Sequence, residues 1–94
     1  MDEIAVLKKL ILQKLIRGNV GGGKHMLLDF VIKGIPGHYR NTHQGERALE
    51  KTLKVLINNE WILIFVKKTG KGSGDHVSLN PRKVNEIRQF LTPP

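Results

Sequence analysis

Cysteine is absent from this 94-residue sequence, which excludes disulfide bridges, thiolate nucleophiles and cysteine-based zinc sites within it. The expected compartment is the cytoplasm. Acidic residues are scarce, with 8 Asp and Glu against 16 Lys and Arg, a formal charge of +8 and a pI near 10.1. That surplus favours a polyanionic partner, nucleic acid first, over a site that binds cations. Long apolar runs are missing too. Residues 4–16 are rich in apolar side chains, but Lys8, Lys9 and Lys14 interrupt them and no small-residue cleavage site follows, so neither a signal peptide nor a membrane span is expected. The carboxylates Asp29, Glu46, Glu50, Glu60, Asp75 and Glu86 are scattered among basic neighbours, and nothing pairs a nucleophile with a base. No enzyme activity, catalytic residue or cofactor is indicated.

What remains is enough for one modest core. An apolar content of 39% over this length fits a single domain over residues 1–94, and no linker divides it. Ile4, Leu7, Ile11 and Leu15 share a stripe and predict a first helix from Asp2 to Arg17, with Gly18 in the left-handed closing position. A very short strand over residues 24–26 is expected next, then a second helix over 27–33 with Leu27, Leu28, Val31 and Ile32 as its apolar set, ended by Gly34 and Pro36. The polar segment GHYRNTHQ reads as a turn. Asn41 or Thr42 caps a third helix to about Asn59, whose buried stripe is Ala48 or Leu49, Leu53, Leu56 and Ile57. Its solvent side carries Gln44, Arg47, Lys51 and Lys54.

Residues 61–79, WILIFVKKTGKGSGDHVSL, spell two strand-like runs joined by a basic, glycine-rich loop with Lys67, Lys68 and Lys71 at its tip. Trp61, Leu63 and Phe65 alternate with Ile62, Ile64 and Val66, so both faces are apolar, as for a strand covered by helices on one side. In NPRKVNEIRQFL, Asn80 caps and Pro81 opens a last helix with Val84, Ile87 and Leu91 on one face. The order helix, short strand, helix, helix, strand, loop, strand, helix is that of an α+β winged helix-turn-helix. In such a domain the third helix enters a DNA major groove, so His43, Gln44 and Arg47 are candidates for base edges, Arg suiting guanine and Gln adenine. Tyr39, Arg40, Lys51, Lys67, Lys68 and Lys71 are candidates for phosphates.

Two other patterns carry less. Residues 18–24, GNVGGGK, match the spacing of a phosphate-binding loop. However, His25 stands where Ser or Thr should hold magnesium, a helix precedes the loop in place of a strand, and the chain is too short for the parallel sheet. Glycines joining a helix to a short strand are the simpler reading. His25, His38, His43 and His76 have no metal-ligand spacing and no completing Cys or carboxylate cluster, so they read as individual polar or packing residues and no metal is expected.

The succession GGGKH, GIPGH, KKTGKG, HVSLNP and EIRQFL, over about residues 21–91, resembles a family of small archaeal winged-helix proteins. The resemblance implies a winged-helix fold and, by fold analogy, duplex DNA binding as a small transcriptional regulator. Such chains often carry Gly between the third helix and the next strand. Here Asn58, Asn59 and Glu60 stand there, so an Asn is expected in any left-handed turn. A homodimer joined through the first or last helix would double the base contacts. The rival functions are a winged helix that binds structured RNA and a protein-interaction module of a larger complex.

Overall fold

The computed structural model describes the backbone of residues 2–18, 24–69 and 72–93. The first helix, α1 (Glu3–Arg17), starts where Asp2 accepts a hydrogen bond from the Ile4 amide at 3.1 Å, satisfying one of the donors that every helix start leaves open. Leu7, Ile11, Leu12 and Leu15 are its buried set. Gly18 closes it differently from expectation. Its φ of −78° is right-handed, and its amide donates to the Lys14 carbonyl at 3.0 Å, so the helical ladder runs one residue further without a left-handed turn.

The strand β1 (Met26–Leu27) lies one to two residues later than expected, and α2 (Leu28–Lys33) follows at once. Val31 is buried, but Leu27 is 48% exposed because it pairs with His76 as a strand residue and does not join the apolar face of α2. The segment expected as a turn contains a helical turn, α3 (Gly37–Arg40), before α4 (His43–Asn58). Of the two candidate caps Thr42 is the one used. Its hydroxyl accepts from the Gly45 amide at 3.0 Å and donates to the His38 carbonyl at 2.8 Å, tying the two helices at their corner.

The buried side of α4 is Gly45, Leu49, Thr52 and Leu56, rotated from the predicted stripe. Leu53 is only half-buried and Ile57 is 42% exposed. Thr52 takes an interior place because its hydroxyl donates to the Ala48 carbonyl at 2.7 Å, leaving its methyl to the core.

The hairpin also differs. The strands β2 (Ile62–Thr69) and β3 (Gly72–Leu79) stay in register from Ile62 opposite Leu79 to Thr69 opposite Gly72. Gly72 and Gly74 are therefore strand residues, while Lys67 and Lys68 stand in the arm of the hairpin opposite Gly74 and Ser73. Ladder bonds come from the backbone, so a polar, glycine-rich sequence can continue a ladder that apolar residues begin. The sheet is antiparallel with order β1-β3-β2. Met26, Ile64 and Val77 form one row across it; α1 and α2 pack on β3, and α4 on β2. The core is Leu7, Ile11, Leu12, Leu15, Val31, Ile35, Leu49, Leu56, Ile62, Val77, Leu79 and Ile87.

Asn80 opens the last segment as expected, accepting from the Arg82 amide at 3.1 Å. A 3-10 turn (Pro81–Lys83) comes first, then α5 (Val84–Leu91). Ile87 is buried and Phe90 meets the Trp61 ring edge to face at 5.6 Å. The chain is thus an α+β arrangement of helices on one side of a three-stranded antiparallel sheet.

Candidate nucleic-acid interface

The outward side of α4 starts from a fixed corner. Gly45 is buried under α3. A Cβ there would stand 2.4 Å from the Tyr39 Cα and 2.5 Å from its carbonyl oxygen, so only glycine lets α3 lie this close. The bond pair at Thr42 and the ring contact of His38 with Tyr39, at 4.1 Å, complete the joint. Tyr39 is half-buried and packs against the core, so it anchors α3 and leaves only part of its ring open. Arg40 is exposed at the end of α3.

Along α4, His43, Gln44, Arg47, Lys51 and Lys54 are all exposed. The 3.6-residue repeat puts His43, Arg47, Lys51 and Lys54 opposite the Leu49–Leu56 side. Glu50 lies on the same side and pairs with Lys54 at 3.8 Å, both side chains 71% exposed, an attraction that surrounding water leaves small. Arg47 and Lys51 have no carboxylate within ion-pair distance among the described residues. Their charge is open to an incoming anion. The helix also places Glu46 in its first turn, where it suits the positive end of the dipole.

The structure thus gathers His43, Gln44, Arg47 and Lys51 on one helix face, with Arg40 at the neighbouring corner. Of the predicted hairpin cations, Lys71 lies outside the described residues, as do the side chains of Lys67 and Lys68. The phosphate-loop-like stretch lies outside them over residues 19–23. Among the described residues no three of His, Cys, Asp and Glu converge as for a metal ion. No helix among them is long and apolar enough to cross a membrane. A cleft of about 190 Å³ between α1 and α2 is lined by Leu10, Gln13, Lys14, Arg17, Val31, Gly34 and Ile35. Lys14 and Arg17 there sit at the negative end of α1, which they neutralise.

Sequence reasoning missed two features. Gly45 was indistinguishable from an ordinary helical glycine, because the signal is the approach of α3, a tertiary fact. The meeting of the His25 ring with those of Phe65 and His76, each at 5.3 Å between centroids, becomes readable only from the register that brings Phe65 opposite His76.

Comparison with protein-family models, with curated proteins and with solved structures gave no match to this chain.

Proposed function

We propose that the chain is a winged-helix protein that binds duplex DNA, with α4 in the major groove and the β2–β3 hairpin as the wing along the phosphates. The single observation that carries this reading is the outward face of α4, where Arg47 and Lys51 are exposed beside His43 and Gln44 and have no ion-pair partner among the described residues. Other features support it. A helix on a short helical turn, followed by a hairpin in a sheet of order β1-β3-β2, is the succession a winged helix requires, and the net charge of +8 matches a polyanion. Arg47 is assigned to a base edge, and Lys51 and Arg40 to phosphates. A role as a small transcriptional regulator accords with this assignment.

The test is a comparison of Arg47→Ala with the unaltered protein on a selected sequence and on random duplex, at one fixed salt concentration. Affinity for the best site should fall by about 1 to 3 kcal/mol with a much smaller loss on random DNA. An equal loss on both would make Arg47 a phosphate contact. No loss on either would put α4 outside the groove.

A further inference from the structure

The pleat sends Ile62, Ile64, Val77 and Leu79 into the core and turns Leu63, Phe65, His76 and Ser78 to the opposite face. On that face the register sets Leu27, His76 and Phe65 in one row across all three strands. His25, one residue ahead of β1, completes the group: its ring lies 5.3 Å from Phe65, tilted by 36°, and 5.3 Å from His76, edge to face. Three rings are therefore contiguous, and Phe65 remains 41% exposed.

The support beneath them is fixed. The Ser78 hydroxyl donates to the Lys24 carbonyl at 2.8 Å, holding the residue before His25 against β3, and His76 Nδ1 lies 3.3 Å from the Gly74 carbonyl oxygen. Gly74 contributes no side chain to this face, and a Leu27 methyl lies across it, 3.3 Å from where a Cβ would be. Lys24 is exposed just ahead of His25, the next register position beyond Phe65 on this face of β2 is Lys67, and the carboxylate Asp75 falls with Lys68 on the other alternation of the pleat.

An exposed ring flanked by two half-buried ones, on a sheet face whose register positions hold Lys67 and no carboxylate, matches the flat faces of unpaired bases and the phosphates between them. A duplex keeps those base faces stacked inside itself. We infer that the outer face of the sheet binds single-stranded nucleic acid, with Phe65 stacking on a base and His25 and His76 flanking it. This surface is separate from the outward face of α4, which lies on the core side of the sheet; the two readings share Lys67 of the hairpin, and Phe65 and Arg47 are the residues that tell them apart.

The experiment is a fluorescence-anisotropy titration with a labelled short oligothymidylate and with a labelled duplex that carries the selected sequence. It uses the unaltered chain, Phe65→Leu, Phe65→Trp and Arg47→Ala. Phe65→Leu keeps apolar bulk and removes the ring. It should weaken oligothymidylate binding by about tenfold or more and leave duplex binding within about twofold, while Phe65→Trp restores the single-strand affinity. Arg47→Ala should do the reverse, so the two readings fail separately. Single-strand binding that is absent in the unaltered chain, equal in Phe65→Leu, or lost together with duplex binding would overturn the inference. So would sedimentation showing a dimer that Phe65→Leu dissociates and oligothymidylate leaves intact, which would assign the face to a second copy of the chain.

Discussion

Glu60 is the non-glycine residue with positive φ among those described, at 60°, and its neighbours explain why. The Trp61 amide donates to the Leu56 carbonyl at 3.0 Å and the Glu60 amide to the Ile57 carbonyl at 3.0 Å, the two bonds of a helix end closed by a left-handed residue. Asn59 keeps right-handed dihedrals, with φ −81°. The left-handed turn therefore falls on Glu60, where an Asn was expected. Its position is set by tertiary demands: Leu56 must be buried in the helix, and Ile62 must be buried six residues later in the sheet. The Asn80 side-chain amide then donates to the Glu60 carbonyl at 2.7 Å, and the Asn80 backbone amide to the Trp61 carbonyl at 3.0 Å, locking the conformation from the far side. A side chain at such a position costs about 1 to 2 kcal/mol, partly offset by the lower entropy of its unfolded chain relative to glycine. Glu60→Gly should accordingly stabilise the protein by about 0.5 to 1 kcal/mol, read as a rise of a few degrees in Tm. A lower Tm would mean that the Glu60 side chain contributes more than its strain removes.

Among the elements, the corner between α3 and α4 is the most sharply defined. Alanine is the better helix former by about 1 kcal/mol, so propensity alone favours Gly45→Ala. The approach of Tyr39 at 2.4 Å to the added Cβ opposes it with backbone atoms that cannot rotate away. We expect the clash to win, with a net destabilisation of about 1 to 3 kcal/mol in a denaturant titration. An unchanged midpoint would show that α3 slides freely. Element existence was largely legible in the sequence: an apolar stripe announced α1, Asn41 or Thr42 and Asn80 announced two helix starts through their capping chemistry, and a continuous apolar run announced β2. The rotation of α4 was not legible. Thr52 and Gly45 lie inward while Ile57 lies outward, and a reading that ranks side chains by apolarity inverts those positions. The strand arms near the hairpin end were hidden for a related reason, since glycine and lysine pair there through backbone groups that side-chain patterns do not report.

At the scale of the molecule, the candidate site was visible as charge and helix face but not as geometry. Gln44, Arg47 and Lys51 follow from the 3.6-residue repeat; the openness of Arg47 and the pairing of Lys54 with Glu50 need coordinates. If the hairpin lysines meet phosphates in the complex, each contributes a displaced counterion to the salt dependence of binding. Lys67→Ala, Lys68→Ala and Lys71→Ala combined should flatten the slope of log affinity against log salt concentration by about 2 to 3. The fold should persist, because Lys67 and Lys68 enter the ladder through their backbones and removing side chains leaves that intact. An unchanged slope would remove the hairpin from the interface. Its lysines would then serve to keep β2, the long edge strand of the sheet, from pairing with another chain.

The sheet joins strands of very different separation along the chain. β2 and β3 are consecutive, whereas Met26 pairs with Val77 and Leu27 with His76, some fifty residues apart. Closing a loop costs entropy that rises with its length, by about 0.6 kcal/mol for each doubling, so the hairpin zips early and β1 arrives late, after the helices between them have shortened the path. Opening reverses that order. In native-state hydrogen exchange the β1 end of the sheet should lose protection first, through a partial unfolding that leaves the hairpin and α1 packed. If β1 and the hairpin exchanged with one common free energy, the two-residue strand would be an integral part of the cooperative core. Late docking would also make the bond from Ser78 to the Lys24 carbonyl the last long-range link to form, and the aromatic face of the sheet would assemble only in the finished molecule.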